Sequence, residues 1–396
     1  MLPTERSQYS GRCRRVWARR VVVALGLTLM PWFAASAMGF AGIPDAPQLP
    51  AKSYILIDFQ SGQTLAENNA DMRAEPASLT KIMTVYAVAD ALRKGLIKLT
   101  DQTMVSEHAW KQEGSRMFIK VNEPVSVDQL LHGDIIQSGN DASVALAEHV
   151  SGSEETFATV MSQHASRLGM KASHFASSTG LPSPNTYSTA RDLSVLARAL
   201  IADFPETYKI FSEREYTYNG IRQPNRNGLL RRDPTADGIK TGHTEAAGFC
   251  LVASAVRDGM RLISVVLGAE SDRARTQASE NLLNYGFRFF ESKQLYKAGA
   301  TVATNKVWKG DSATVAVGVA AAVSATVPRG KVGSVSTVAE MQKPLLAPLQ
   351  VDQKVGELIV RYDGNEVRRV PLLTQRAVAE GPWYSRAIDA VKLRFE

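Results

Sequence analysis

The stretch 237–268, DGIKTGHTEAAGFCLVASAVRDGMRLISVVLG, decides how the chain is read. Its β-branched and aromatic residues fall in runs of strand length separated by turn residues, which predicts three strands. Asp258-Gly259, between the last two, is a two-residue hairpin signal, because both positions of such a turn need positive φ. A helix from about Arg273 to Glu291 follows. Far upstream, YILIDFQSGQTLAENN (54–69) reads strand, Ser-Gly turn, strand. Between these regions the spacing is helical: Ala77 to about Leu92, then 127–150 with a break at QSGN, then 154–169 and 189–203. Strands first, helices in the middle and strands again predict one antiparallel sheet whose first strands pair with its last. Helices would cover it, an α+β arrangement.

From about residue 293 the character changes. ATVAVGV (313–319), VSATVPRG (323–330) and ELIVRYDGNEVRRVPLL (357–373) are short alternating runs, and Asp363-Gly364 is a second hairpin signal. They predict a small all-β domain over 293–380. The closing WYSRAIDAVKLRFE (383–396) has helical spacing, with Tyr384, Ile388, Val391 and Phe395 on one stripe. Two readings fit this amphipathic terminal helix (381–396): docked on its own domain, or lying in a membrane interface.

The chain has 396 residues, 44% hydrophobic and 21% charged, which suits one large domain plus something smaller. Its net charge of +7 is unevenly placed. Six arginines against Glu5 give residues 1–20 a net +5, leaving +2 for everything after. A nucleic-acid reading based on charge therefore fails. The Arg-rich start, the apolar run Val21 to about Phe33 and Ala35-Ser36-Ala37 read as a secretory signal over residues 1–37. An uncut anchor is the alternative, and Arg19-Arg20 leaves the export route, general or twin-arginine, open. Cys13 would leave with the signal. Cys250 then stands alone in an apolar run and reads as a buried small hydrophobe.

EPASLTKIMT (75–84) carries the first chemical signal. A Ser-x-x-Lys pair occurs by chance about once in a chain of this length, so alone it is weak. Pro76 favours a helix start and puts Ser78 in the first turn, with Lys81 on the same face. A serine hydroxyl is a poor nucleophile until a base takes its proton, and lysine can be that base only if burial or a second cation lowers its pKa. IIQSGNDAS (135–143) places Ser138 and Asn140 in a break between helical stretches. DGIKTGHTEAAG (237–248) places Lys240, Thr241, Gly242 and His243 on a strand. In this order and at these separations the three elements form a strong set.

With this set the sequence resembles the penicillin-recognising serine acyl-enzymes, and within them the low-molecular-mass penicillin-binding proteins, D-alanyl-D-alanine carboxypeptidases of the DacA type (peptidase family S11). The resemblance runs from about Tyr54 to the C-terminus and includes YNGIRQPNRNGLL (218–230), GFRFFE (286–291) and the tail. It implies a β-lactamase/transpeptidase-like catalytic domain (38–292), the small β domain and a membrane-associated terminal helix, on the periplasmic face of a bacterial inner membrane. It also implies roles. Ser78 would attack the carbonyl between two terminal D-alanines, Lys81 would take its proton and Lys240 would supply the second cation. Ser138 would relay a proton to the departing D-alanine, and Asn140 would bond the substrate amide. Backbone N–H groups of Ser78 and His243 would form the oxyanion hole. Thr241 and Arg275 would meet the terminal carboxylate, Gly242 would leave room for the peptide, and Arg226 would lie near the Lys-Thr-Gly strand. The implied ligands are peptidoglycan stem peptides and β-lactams. No metal, organic cofactor or nucleic acid is suggested, and the five other histidines receive no role.

Three rival readings are weighed. A class A β-lactamase needs a Glu-x-x-Leu-Asn motif after Ser-x-Asn, and KASHFASSTGLPSPNTYS (171–188) contains no Glu. A D,D-endopeptidase of the same fold would generally lack the β domain and tail. A catalytically idle wall-binding protein would take no penicillin label.

Overall fold

The computed structural model describes residues 43–395. The expected signal segment, 1–37, lies outside the described residues.

Five strands build the central sheet, in the order Thr64–Asn68, Ser53–Asp58, Met260–Ala269, Gly248–Arg257, Ala236–Thr244, all antiparallel. The first strands do pair with the last, with Ile55 opposite Val265 and Leu56 opposite Ser264. The hairpin at Asp258-Gly259 forms as expected: both residues have positive φ (50° and 78°), and Arg257 faces Met260. Side chains alternate between two apolar layers. Ile55, Ile57, Val252, Ile263 and Val265 face the helices Lys81–Arg93, Asn140–Ser151 and Ala190–Asp203. Leu56, Leu251, Leu262 and Val266 face the helix Asp272–Phe289. Cys250 is a buried free thiol within the first layer.

The helical reading of 127–150 resolves into three pieces. An α-helix Val127–His132, started by a Ser126/Gln129 capping box, runs into a π-turn Gly133–Gln137. Ser138 then adopts the left-handed conformation (φ 65°) and the helix Asn140–Ser151 begins. A π-turn in this position is typical of functional sites, because its extra residue re-aims the side chains just after it.

The helix read as ending near Glu291 stops at Phe289, because the strand Phe290–Tyr296 begins there and pairs with Val323–Pro328. This strand pair and a five-stranded sheet (Thr301–Lys306, Thr314–Gly318, Asn365–Thr374, Lys354–Tyr362, Val335–Met341) make the all-β C-terminal domain. Asp363 and Gly364 form its second hairpin, again both at positive φ.

The terminal helix Trp383–Lys392 is held by its polar side: Asp389 Oδ2 accepts from Lys309 N at 2.6 Å. Its apolar stripe points away, with Trp383 76%, Ile388 53%, Val391 59% and Phe395 87% exposed. The helix is thus attached to its own domain by its polar side, while the apolar stripe stays exposed. Among the described residues no helix is long and apolar enough to cross a membrane.

Candidate active site

Pro76 caps a short 3-10 turn, Ala77–Thr80, that leads directly into the helix Lys81–Arg93. Ala77 sits at φ 48°, a left-handed conformation that costs an alanine about 1–3 kcal/mol. The next residue is Ser78. Lys81, one turn on, is fully buried. Its Nζ lies 3.4 Å from Ser78 Oγ and donates to Asn140 Oδ1 and to the Thr179 carbonyl, each at 2.7 Å. The loop carrying Thr179 is pressed onto this helix. Thr84 donates to Ser178 O, and a Cβ on Gly180 would stand 2.0 Å from Ala77 O.

Lys240 is also buried, and its Nζ reaches the Thr241 carbonyl at 3.2 Å. At Gly242 the fit is tight: a Cβ there would stand 3.0 Å from Pro76 O and 3.2 Å from Ser78 N. Its bare backbone lets the strand approach the nucleophile's turn, and the residue also lines the cavity above. Ser138 is buried, and its Oγ has no hydrogen-bond partner among the described residues.

A cavity of about 320 Å³ opens over these groups. Ser78, Ser138, Thr241, Gly242 and His243 line it, with Arg226 and Arg275 at its side. Lys81, Asn140 and Lys240 lie beneath, so the ten residues picked from sequence form one site in two layers. Four further details define the site. Asn140 is engaged at both ends, since its Nδ2 donates to Glu113 O at 2.5 Å. Arg275 is buried and donates to Gly242 O at 2.9 Å, while its other arm pairs with Asp272. A substrate carboxylate would have to displace Asp272 from that arm. Arg226 is exposed and holds Gln137 O at 2.8 Å, which braces the π-turn. The wall at 113–119 is tied to the site: Asp141 accepts from the N–H groups of Met117, Phe118 and Ile119.

The electrostatics stem from burial. Removal from water pulls Lys81 down to about 8, against the raising effect of Asp134, Asp141 and Glu154, and Arg226 adds to the lowering. Burial, then repulsion from Lys81, holds Lys240 well below its ordinary value. Burial thus leads in depressing Lys81, the part expected of a second cation. Asp134, which sequence reasoning passed over, is fully buried near both lysines, and burial pushes its carboxyl up to about 6. The available signal was a lone acid in the apolar run LLHGDII (130–136) just before Ser-x-Asn.

A serine beside a buried lysine whose pKa is lowered, with an open cavity above, defines a serine acyl-transfer enzyme. The comparisons give the family. Residues 41–271 match the D-alanyl-D-alanine carboxypeptidase family, and residues 290–380 match the C-terminal domain of penicillin-binding protein 5. The chain is 45% identical to D-alanyl-D-alanine carboxypeptidase DacC of Escherichia coli K12, over 94% of this chain and 95% of that protein. It is 44% identical to DacA of the same organism, over 89% and 90%. Penicillin-binding protein 5 from Haemophilus influenzae superposes with a TM-score of 0.80 at 42% identity, covering 85% of this chain and all of that one. Penicillin-binding protein D2 from Listeria monocytogenes, solved with ampicillin bound, superposes with a TM-score of 0.57 at 30% identity, over 62% of this chain and 100% of that one. This chain belongs to the D-alanyl-D-alanine carboxypeptidase family of low-molecular-mass penicillin-binding proteins.

Proposed function

We propose that the protein removes the terminal D-alanine from peptidoglycan stem peptides ending in D-Ala-D-Ala, through an acyl-enzyme on Ser78. The observation that carries this is the setting of Lys81. A neutral amine has two N–H groups and one lone pair. The two acceptors at 2.7 Å, Asn140 Oδ1 and Thr179 O, take the two N–H groups and leave the lone pair for Ser78. Ser78 gives its proton to Lys81 as Oγ bonds to the carbonyl carbon. Backbone N–H groups of Ser78 and His243 receive the developing oxyanion. The C–N bond then breaks, and the departing amine gains a proton through Ser138, whose hydroxyl is otherwise unpartnered. Water adds to the acyl carbon, the ester bond breaks, and the serine hydroxyl is restored.

Thr241 and Arg275 hold the substrate's carboxylate, with Asp272 yielding its place, and Asn140 turns from Glu113 to the substrate amide. Penicillins enter by the same route, as the ampicillin-bound relative suggests for this site. Incubation with a synthetic pentapeptide ending in D-Ala-D-Ala is expected to yield equal amounts of free D-alanine and tetrapeptide. Release of no D-alanine overturns the reading. Cleavage confined to cross-linked peptides favours the endopeptidase, and rapid turnover of a chromogenic cephalosporin favours the β-lactamase. The loop 171–188 lies against the nucleophile helix with carbonyl groups, Ser178 O and Thr179 O, and has no carboxylate to activate water.

We infer that the protein is exported and rests on the periplasmic face of the inner membrane through its terminal helix. The outward stripe of Trp383, Tyr384, Ile388, Val391 and Phe395 supports this, since so many large apolar side chains are left in water otherwise. Truncation after Glu380 is expected to move the protein from the membrane pellet to the supernatant with its rate on soluble peptide unchanged. A truncated protein that still pellets overturns the anchor.

A further inference from the structure

The cavity over Ser78 already contains a carboxylate. Among the described residues that line it, Asp272 carries the only acidic side chain, beside Arg226, Arg275, His243 and several hydroxyls. Ser271 Oγ accepts from Ala274 N and starts the helix Asp272–Phe289, so Asp272 and Arg275 fall one turn apart on one face. Arg275 Nη2 donates to Asp272 Oδ1. The two partners are held differently. Arg275 is buried, and its Nη1 donates to Gly242 O at 2.9 Å and to Cys250 O at 3.3 Å, a directly opposed pair on two neighbouring strands. Its guanidinium stays where the sheet puts it. The Asp272 side chain is 61% exposed, and Arg275 is its one hydrogen-bond partner among the described residues. Arg275 Nε, on the same edge of the guanidinium as Nη2, is buried and has no hydrogen-bond partner among the described residues. Asp272 therefore takes half of a two-donor fork.

We propose that Asp272 is an internal competitor for the substrate's terminal carboxylate, and so a specificity-determining residue that sets how tightly carboxylate-ended ligands bind. The proposal rests on the reading in which Arg275 receives that carboxylate. In the free protein Asp272 compensates the charge of a buried arginine. A ligand carboxylate laid along the fork takes both donors, where Asp272 takes one, and Asp272 swings out into water. The exchange is easy because the pair it breaks is open to solvent on the Asp272 side. Two penalties remain for the ligand: the lost pair, and a second negative charge left close to its own. Both act on anionic ligands and spare uncharged ones. The cleaved D-alanine carries the same carboxylate, so the same competition favours its departure from the acyl-enzyme.

The test is equilibrium binding of two pentapeptides ending in D-Ala-D-Ala, identical except that one closes in a carboxylate and the other in a carboxamide. It is made on Ser78→Ala, where no chemistry intervenes, and on Ser78→Ala combined with Asp272→Ala or with Asp272→Asn. Asp272→Ala should tighten the carboxylate peptide by roughly threefold to tenfold, the size of an exposed ion pair plus one close like-charge contact, and leave the carboxamide peptide within about twofold. Asp272→Asn, nearest in shape, should tighten the carboxylate peptide by less, because its amide oxygen still accepts from Arg275. Unchanged or weaker binding of the carboxylate peptide in Asp272→Ala overturns the proposal, and Asp272 is then a brace for Arg275. Equal shifts on both peptides overturn it too, since charge is then not what is discriminated. If Ser78→Ala itself binds the carboxylate peptide no better than the carboxamide, the carboxylate reading of Arg275 falls and takes the proposal with it.

Discussion

Ser78→Ala is expected to take no covalent label from a fluorescent penicillin and to free no D-alanine from a pentapeptide, while keeping its fold. The Oγ removed is the atom that forms the acyl bond, so the loss is complete rather than graded. Nothing else in the site depends on it. In the folded protein Oγ meets one polar neighbour, Lys81 Nζ, at a long 3.4 Å, so its loss changes stability by less than about 1 kcal/mol. Lys81 keeps its two closer partners, and the cavity over Thr241 and Arg275 keeps its shape. The variant should therefore still bind peptide, which equilibrium binding of a D-Ala-D-Ala peptide can measure beside the lost label. A variant that still labels with penicillin would place the nucleophile elsewhere. Ser138, which also lines the cavity, would be the next to test.

Much of this was legible in the chain because the decisive signals are local. Asp258-Gly259 and Asp363-Gly364 set their hairpins by backbone freedom alone, and both form with two positive φ angles. The pairing of the first strands with the last came from having strand runs only at the two ends of the catalytic region. Ser78 and Lys81 came from spacing on one helix, and the other motifs converge on them. The features that escaped reading depend on distant groups. Whether Asn140 is free or engaged turns on Glu113, which no spacing rule ties to it. That Gly242 also lies against Pro76 and Ser78, some 160 residues away, is visible only in the fold. Asp134 is one acid in an apolar run, and only the fold brings it within electrostatic reach of two buried lysines. The terminal helix was ambiguous for the same reason. Periodicity gives a stripe, but only Lys309 meeting Asp389 decides which side faces the protein.

Lys81→Arg and Lys81→Met are each expected to lower the labelling rate by about 10²- to 10⁴-fold, the usual cost of losing a general base. The two fail for different reasons, and the difference is the point. Arginine keeps the positive charge and can still donate to Asn140 Oδ1 and Thr179 O, but a guanidinium does not lose its proton in this pH range. Methionine keeps the length and removes the charge. It also strands two acceptors, one side-chain and one backbone, at about 1–3 kcal/mol each, so this variant should melt earlier than wild type. The pH dependence separates a base from a structural cation. In wild type the active species is the proton-free amine, whose fraction grows as pH rises through about 8. The rate should therefore climb about tenfold per pH unit below 8 and level off above it. A catalytic part for Lys81 as a mere cation would give the opposite slope, falling as the amine loses its charge. In both variants the residual rate should lack this rise. Retention of near wild-type labelling by Lys81→Arg would show that the positive charge, and not the lone pair beside Ser78, is what the reaction uses.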